Sequence, residues 1–550
     1  MKLIYSYLFV LLLLPFGSTA QLMTTKESFG RADSLRGTLT FLRSCYDVNY
    51  YHLKVRLDIS KRYISGSNEF RFTAKDDFLR LQLDLFSHFD VEKIEYKGLS
   101  LNFKREFNAV FVDFPETIKK GSSGSFTVYY SGKPIVAKKA PWDGGFVFST
   151  DSAGKPWVST AVQGLGASSW WPNKDHLSDE PDSMLISVSV PEELKNVSNG
   201  RLRQVIKEQD GHKRYDWFVE NPINNYSVAM NVGDYVHFRD TYIGEKGPLS
   251  LDYWVLPANL EKAKRHFAMN VKPMLKSFEY WFGPYPFYAD GYKLIETPYL
   301  GMEHQSAVAY GNGYQNGYLG KDLSGSGWGS KWDFIIVHET GHEWFGNNIT
   351  CREIADMWIH ESFTSYSEGL YVESLFGKKA GQEYIAGTRK IIENKTPIIG
   401  QFDVNKEGSG DMYSKGSNIL HTVRTIINND RKWRMILRGL NKEFFHQTVT
   451  GEQVINYMSR HAGVDLGPIF RQYLYFPALP RLEIKKVGNS IMGRWQTDVE
   501  NFSMPVRIRK KGGEYQFVTF TSNTYGQIKI SGLTLQNTEV DTANFYIELD

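Results

Sequence analysis

Residues 338–346 read HETGHEWFG, and this stretch decides which fold and which chemistry the sequence predicts. His338 and His342 are four residues apart, so on a helix their rings share one face, with Cβ atoms about 5–6 Å apart. That spacing suits two imidazoles on one zinc ion, and Glu339 between them can act as general base on a water molecule beside the metal. The apolar flanks FIIV and WFG predict a buried helix, where histidines need a partner such as a metal.

A catalytic zinc also needs a third protein ligand and an open coordination position. Glu361 follows His342 by nineteen residues, in WIHESFT at the start of a second predicted helix. The segment NNITCREIADM lets the chain return between the two helices, so we expect Glu361 to complete a site for one Zn²⁺ per chain. Glu368, seven residues later on the same face, either orients one of the histidines or is a surface charge.

The rest of the sequence divides into regions of different secondary structure. From residue 41 to 237, alternating runs such as YYHLKVRLDIS and YSVAMNVGDYVHF predict an all-β domain, either a sandwich or a saddle-like sheet. Residues 238–477 carry helical periodicity, for example in ANLEKAKRHFAMNVKPMLKSFEYWFG. Strands return in residues 478–550 and predict a small β-sandwich. The expected fold class is therefore multidomain α+β, with the zinc helix in the mostly helical middle domain.

Composition and charge argue against nucleic-acid binding and against a disulfide-stabilised fold. The 64 basic and 61 acidic residues nearly balance, and no basic stripe stands out, so nucleic acid is not an expected partner. Cys45 and Cys351 are the only cysteines, which is too few for a disulfide framework, and two buried thiols are the favoured interpretation. The sequence pattern fixes no oligomeric state.

The first twenty residues, MKLIYSYLFVLLLLPFGSTA, have the pattern of a cleaved signal peptide. Lys2 precedes an apolar run from Ile4 to Leu14, and the small residues Ser18 and Ala20 suit a signal peptidase. This run is shorter than the roughly 20 residues that span a membrane, so we expect cleavage and no stable membrane insertion. The predicted location of the mature chain is the periplasm or the medium.

Four motifs in a fixed order resemble the M1 family of zinc aminopeptidases, which includes the aminopeptidase N and leukotriene hydrolase branches. HETGHEWFGNN followed by WIHESFT is similar to the family pattern H-E-x-x-H, eighteen residues, E. YLGMEHQ resembles its G-x-M-E-N motif, MYSKGSNIL the segment with a catalytic tyrosine, and STAVQGLGASSWWP the β-domain segment that reaches the active site. The resemblance covers about residues 40–550 and implies a thermolysin-like catalytic domain at residues 238–477.

The resemblance also implies roles for five further residues. Glu303 is expected to grip the free α-amine of a peptide substrate, and Gln163 to contact the same amine as a neutral hydrogen-bond acceptor. Gly301 and Met302 are expected to bind substrate, with Met302 shaping the pocket for the first side chain. Tyr413 is expected to donate a hydrogen bond to the oxyanion that forms when the peptide carbonyl is attacked.

The sequence departs from the family pattern at two positions and in length. Leu300 stands where the family usually has glycine, and His304 where it usually has asparagine, which puts side-chain preference and pH optimum in question. Many members continue into a helical domain that covers the cleft, whereas this sequence ends after the predicted sandwich. We therefore expect a more open cleft that accepts longer peptides.

The leading interpretation is an exported zinc aminopeptidase that acts on peptides with a free N-terminus. A thermolysin-type endopeptidase is the first alternative, and it is disfavoured by the amine-binding pair Glu303 and Gln163. A non-catalytic binding scaffold of the same fold is the second alternative. Such a scaffold usually lacks a metal ligand or the base, whereas this chain keeps His338, His342, Glu361, Glu339 and Tyr413.

Overall fold

A computed structural model describes residues 28–550 of the chain, and the predicted signal peptide at residues 1–20 lies outside the described residues. Within the described part, a β-rich N-terminal region is followed by a mostly helical middle region and a β region at the C-terminal end. This order confirms the predicted α+β fold class. The middle region carries the metal motif, and the N-terminal region packs against it.

The N-terminal region begins with two short helices that the sequence patterns do not predict, α1 (Arg31–Gly37) and α2 (Phe41–Ser44). Its strands are β1 (Tyr46–Asp58), β2 (Tyr63–Ala74), β3 (Phe78–Asp84), β4 (Phe89–Tyr96), β5 (Leu99–Ser100), β6 (Asn102–Glu106), β7 (Ala109–Ile118), β8 (Ser123–Gly132), β9 (Gly145–Thr150), β10 (Pro156–Ala161), β11 (Ser183–Pro191), β12 (Lys195–Val197), β13 (Arg201–Lys207), β14 (His212–Val219) and β15 (Asn231–Gly233).

These strands form three sheets among the described residues. The largest has the order β13-β14-β11-β1-β2-β8-β4-β5, and the two smaller ones have the orders β12-β15-β10-β9 and β3-β7-β6. In β1 the alternation seen in the sequence buries Leu53, Val55 and Leu57 on one face, because successive side chains of a strand point to opposite faces. β1 pairs antiparallel with β2 and parallel with β11, so it is an interior strand of the sheet, and its buried face packs in the core of the domain.

The middle region combines a sheet with helices. Its elements are β16 (Val236–Gly244), β17 (Gly247–Val255), α3 (Leu260–Phe282), β18 (Tyr292–Glu296), β19 (Gly301–Met302), β20 (Val308–Tyr310), α4 (Phe334–Gly341), β21 (Ile349–Cys351), α5 (Trp358–Phe376), α6 (Lys378–Gly387), α7 (Asp411–Ile427), α8 (Asp430–Glu443), β22 (Gln447–Val449), α9 (Gly451–Ala462) and α10 (Gly467–Tyr475).

A five-stranded sheet in the described chain, with the order β16-β17-β18-β20-β19, corrects two expectations. The run 226–238, predicted as one strand, divides into β15 of the N-terminal region and the start of β16. The sequence analysis also predicts no sheet between residues 238 and 477. The strands β18, β19 and β20 of this sheet are short and completely buried, so they show no alternation to detect.

The C-terminal β region packs directly on the helices. Its strands are β23 (Arg481–Val487), β24 (Ser490–Gln496), β25 (Ser503–Lys510), β26 (Gln516–Thr521), β27 (Gly526–Gln527), β28 (Thr538–Val540) and β29 (Glu548–Leu549). They form two sheets with the orders β27-β24-β23-β29 and β26-β25-β28 within the described residues. The hydroxyl of Tyr473 in α10 donates to the carbonyl of Tyr546 at 2.7 Å, and one apolar core runs through both regions.

Two further expectations concern the whole described chain. Cys45 and Cys351 are both buried and unpaired, in agreement with two buried thiols. Among the helices of residues 28–550, none combines the length and the apolar character needed to cross a bilayer.

Candidate metal centre and cleft

The start of α4 is fixed by a buried cap that the sequence analysis missed. The carboxylate of Asp333 accepts hydrogen bonds from the backbone N–H groups of Ile335 at 3.0 Å and Ile336 at 3.2 Å. It also pairs with Nε2 of His266 at 2.7 Å and accepts from the hydroxyl of Tyr310 at 2.7 Å. Because these partners lie on α3 and β20, the cap holds the metal helix in register with both elements.

The end of α4 sets the orientation of the second histidine. The predicted helix through residue 346 ends earlier, because α4 stops at Gly341 and a single wider turn covers residues 343–347. Gly346 has φ of +134°, which turns the chain so that the carbonyl of Phe345 lies 3.0 Å from Nδ1 of His342. This contact fixes the imidazole and leaves Nε2 as the free ring nitrogen.

His338, His342 and Glu361 converge on one point. Their side chains are buried, and one ligand atom from each lies within 4.8 Å of the others. Oε2 of Glu361, in the first turn of α5, lies 3.7 Å from Nε2 of His338 and 3.4 Å from Nε2 of His342. This oxygen is buried and has no hydrogen-bond partner among the described residues. An unsatisfied buried carboxylate oxygen facing two ring nitrogens is an arrangement that a cation would complete.

The outer nitrogen of His338 is held by a chain of two further residues. Nδ1 of His338 lies 2.7 Å from Oε1 of Glu368, and the hydroxyl of Tyr384 donates to Oε2 of the same carboxylate at 2.6 Å. Glu368 is buried, so the alternative of a surface charge is wrong. Carboxylates in this position fix the tautomer of a metal-binding histidine and raise its basicity.

The donor set fits a zinc ion. Two imidazole nitrogens and one carboxylate oxygen are the ligands of a catalytic zinc with an open position. The surrounding charge favours a cation as well. Burial alone lowers the pKa of His342, but Glu361 and Glu303 outweigh it and raise that pKa to about 9. The corner therefore attracts positive charge, which a divalent ion held by His338, His342 and Glu361 would supply.

Glu339 faces the same point from α4. Burial, reinforced by the negative charge of Glu303 and opposed by His338, raises the pKa of Glu339 to about 7. Gly301 in β19 is the residue that makes room for it. A Cβ atom at Gly301 would lie 2.8 Å from Oε1 of Glu339 and 2.7 Å from Cγ2 of Ile335. Any larger residue there would push the carboxylate away from the metal ligands.

Glu303 and Gln163 meet beside the metal ligands and form the amine end of the cleft; ligand atoms of Glu303, Glu339 and His342 lie within 4.8 Å of one another. Nε2 of Gln163 donates to Oε1 of Glu303 at 2.6 Å, although the two residues come from different regions of the fold. Glu303 follows β19, the edge strand of the five-stranded sheet, and Asn347 donates to its backbone carbonyl at 2.8 Å. Burial raises the pKa of Glu303, and Met302 beside it is buried.

Tyr413 lies in the first turn of α7 and is 38% exposed to the cleft. Its ring centroid is 5.9 Å from that of His338, so the tyrosine is beside the metal ligands rather than in the core. Burial in the cleft, followed by the negative charges of Glu361 and Glu303, raises the pKa of Tyr413 well above its usual value. The phenol therefore keeps its proton and can act as a donor.

These residues line one cavity of about 420 Å³. Its carboxylates are Glu303, Glu339, Glu361, Glu368, Glu407 and Asp411. In the described chain the lining includes no lysine or arginine and no residue from 478–550. The sequence analysis missed several lining residues, among them Trp142, Tyr318 and Tyr384, because no motif spacing connects them with the metal ligands.

The two departures from the family pattern have different surroundings. Leu300 lines the cavity. His304 is completely buried, and neither ring nitrogen has a hydrogen-bond partner among the described residues. Burial lowers the pKa of His304 to about 3. Because this lowered pKa keeps the ring neutral at neutral pH and His304 lies outside the cavity lining, we expect His304 to have little effect on the pH optimum, which stays a prediction.

Comparisons with known families match both main regions. A model of the peptidase family M1 domain matches residues 267–473, and one of the peptidase M1 N-terminal domain matches residues 47–226. The chain is 23% identical over 436 residues to a leucyl aminopeptidase of Saccharolobus solfataricus, which covers 75% of this chain and 51% of that protein. It is 23% identical over 474 residues to the leukotriene A-4 hydrolase of Xenopus laevis, covering 80% and 73%.

A solved structure shares the fold. The M1 zinc metallopeptidase of Deinococcus radiodurans has a TM-score of 0.66 and 20% identity, over 80% of this chain and 96% of that one. The chain spans only about half the length of the archaeal aminopeptidases it matches, 51% and 44% for two of them. The two family models together match more than half of the chain, with the metal motif inside the second. The resemblance found in the sequence is thereby confirmed, and the chain belongs to peptidase family M1.

Proposed function

We propose that this protein is a zinc-dependent aminopeptidase that hydrolyses the N-terminal peptide bond of peptides. The observation that carries the proposal is a single cavity that holds two neighbouring groups of residues. His338, His342 and Glu361 converge in the metal corner, and the Gln163–Glu303 pair, the amine end, lies beside it, with ligand atoms of Glu303, Glu339 and His342 within 4.8 Å of one another. The first group suits peptide hydrolysis, and the second suits recognition of a free amino terminus close to the bond that is cut.

Glu303 anchors the substrate by its α-amine. That amine has a pKa of about 8 and is mostly protonated at neutral pH, so it favours a buried carboxylate. Oε1 of Glu303 already accepts from Gln163 at 2.6 Å, which orients the carboxylate toward the cleft. Gln163 brings no charge of its own, so Glu303 supplies most of the attraction. A mutant of the Deinococcus M1 zinc metallopeptidase was crystallised with the substrate Tyr-Ser-Ala, which supports peptides as the substrate class.

The edge strand β19 aligns the peptide backbone. β19 pairs with β20 on one side, through Gly301 opposite Tyr310 and Met302 opposite Ala309. Its other side ends the sheet beside the cavity, so an extended peptide can add to this edge by main-chain hydrogen bonds. Gly301 keeps the backbone close to Glu339, which brings the scissile carbonyl near the base.

His338, His342 and Glu361 would hold the zinc ion. When bound, zinc polarises the scissile carbonyl and makes a nearby water molecule more acidic. Glu339 removes the proton of the attacking water at its carboxylate oxygen and returns it to the leaving amine. The phenol of Tyr413 donates a hydrogen bond to the oxyanion of the tetrahedral intermediate. Both residues line the cleft.

An open cleft supports peptides longer than dipeptides. The described part of the C-terminal β region contributes no residue to the cavity lining, and no lysine or arginine in that lining can pair with a nearby substrate carboxylate. The C-terminal carboxylate of a dipeptide would lie close to the amine end, where the glutamates of the lining would repel it. We therefore expect longer peptides to be accepted at least as well as dipeptides.

The first test compares matched substrates and metal states. The protein should cleave an aminoacyl anilide and a free peptide, lose this activity with a chelator and regain it with zinc. An N-acetylated version of the same peptide separates the proposal from its first alternative. An endopeptidase of the thermolysin type would cleave the acetylated peptide, and a non-catalytic scaffold would cleave neither.

We also propose that the chain is exported and acts on peptides outside the cytoplasm. The support is the pattern of residues 1–20, with a lysine, a short apolar run and small residues before Gln21. The test is N-terminal sequencing of the protein from the periplasm and the medium. A mature chain that starts at Gln21 is expected, and an intact Met1 in the cytoplasm would contradict export.

A further inference from the structure

Trp142 differs from every other tryptophan of the chain. All thirteen tryptophans lie in the part that the structure describes, and only Trp142 is classed with the exposed residues, at 69%. A singly exposed apolar side chain is common on a protein surface, but one that lines a cavity offers apolar area for a ligand to cover. Trp142 lines the cleft together with Pro141.

The segment that carries Trp142 is held by its own hydrogen bonds. Asp143 accepts from the backbone N–H groups of Lys138 at 2.6 Å and Lys139 at 2.9 Å. The N–H of Trp142 donates to the carbonyl of Lys139 at 3.0 Å, and that of Gly144 donates to the carbonyl of Pro141 at 3.1 Å. A wall built in this way gives up little conformational entropy when a ligand packs on it.

Contacts on both sides place this segment next to the amine end. Ala140 packs against the apolar cluster that contains Met302. On the other side, a Cβ atom at Gly144 would lie 2.5 Å from Cβ of Leu165, so the backbone touches the segment two residues after Gln163. Residues 140–144 therefore lie between Met302, expected to shape the first side-chain pocket, and the segment that follows Gln163, and Trp142 lines the cavity from this position.

We propose that Trp142 is a specificity-determining residue whose indole packs on the first side chain of the peptide and favours large apolar or aromatic residues there. This inference rests on the proposed aminopeptidase function. The α-amine is held at Glu303, so the side chain on the same Cα extends from that end of the cleft. Leu300 and Met302, which also line the cavity, make the surroundings apolar. Packing against an aromatic wall adds to the burial of a phenylalanine or leucine side chain, and adds little to that of alanine.

The test uses anilides of phenylalanine, leucine and alanine with the same leaving group, so that ratios of kcat/KM report the first side chain alone. For the zinc-loaded protein, we expect phenylalanine to be preferred over alanine. Trp142→Ala should lower the Phe/Ala ratio about 10-fold, mainly through a higher KM for the phenylalanine substrate. Trp142→Phe should recover most of the ratio, because it keeps an aromatic wall.

Leu99→Ala is the matched control, because Leu99 is an apolar side chain of the same domain, 57% exposed and outside the cavity lining. It should leave the ratio unchanged. An unchanged ratio in folded Trp142→Ala, checked by its Tm, would overturn the inference. The inference would also be overturned if Trp142→Ala lowered kcat/KM only for substrates with a bulky second residue, as measured with Ala-Phe amide and Ala-Ala amide. A wild-type protein that cleaves none of the anilides would instead contradict the proposed function.

Discussion

The metal corner and the amine end of the cleft lie in one cavity but are built in different ways. The metal corner takes its ligands from α4, the residue that follows α4 and the first turn of α5, so its residues are at most 23 positions apart, from His338 to Glu361. The amine end joins Gln163 to Glu303, which are 140 positions apart. The first depends on helix geometry, whereas the second depends on how two regions of the fold pack.

The contacts between those regions support this distinction. Nδ2 of Asn199, in the N-terminal region, donates to the carbonyl of Gln305 at 2.8 Å. The N–H of Gly200 donates to the hydroxyl of Ser306 at 2.9 Å. These bonds tie the segment just after Glu303 to the N-terminal region, so the amine end depends on how the two regions pack.

The largest effect is expected in the metal corner, from Glu339→Gln. The amide cannot remove a proton from water, so kcat should fall by about 10³-fold, within the range for loss of a general base. Zinc should remain bound, because His338, His342 and Glu361 are unchanged. Metal analysis and kcat on an aminoacyl anilide check both points. Glu452→Gln, at an exposed position on α9, is the control and should behave as the wild type. Substantial activity in zinc-loaded Glu339→Gln would refute the assigned base.

The next effect tests the amine end. Glu303→Ala should lower kcat/KM for free-amine substrates by about 100-fold, because a buried charge-assisted contact is lost. Discrimination between free and acetylated peptides should disappear with it. Gln163→Ala should cost less, about 10-fold, because its amide carries no charge. If Gln163→Ala costs more than Glu303→Ala, the assignment of the main anchor is wrong.

The same contrast explains which residues were predictable. Spacing of four residues on a helix fixes His338 and His342 on one face, so the sequence alone brings them together. Tyr384 lies on α6 and meets Glu368 only because α5 and α6 pack, so no sequence interval identifies it. Trp142 is held by a loop of the N-terminal region, and a single exposed aromatic in a loop has no periodic signal.

The regular elements show a similar division. The central part of β1 and the extent of α3 follow their hydrophobic patterns closely, because each buries one face along most of its length. The sequence also predicts the extent of α5, although this helix is buried on all sides from Trp358 to Val372. The five-stranded sheet escaped prediction because its central strands are buried on both faces. Tertiary packing, rather than local preference, determines those strands.

A smaller effect is expected from the residues that orient His338. Glu368→Gln should weaken zinc binding by about 10-fold, because the amide is a poorer partner for Nδ1 of His338. Tyr384→Phe should weaken it less, since the tyrosine acts only through Glu368. Zinc affinity is measured by titration in a metal buffer. A full loss of metal from Tyr384→Phe would mean that the hydroxyl does more than orient the carboxylate.

The smallest effect is expected at His304, a buried residue next to Glu303 that should affect stability but not catalysis. Burial holds the pKa of His304 at about 3, below the value of about 6.5 in an unfolded chain. The unfolded state therefore takes up the proton first, so this residue's contribution to stability is complete above pH 6.5 and is lost as pH falls toward 3. His304→Asn should flatten the decline of Tm between pH 6.5 and 4 and leave the pH profile of kcat/KM between pH 6 and 9 in place. A pH profile that moves with this substitution would mean that His304 titrates within the working cleft.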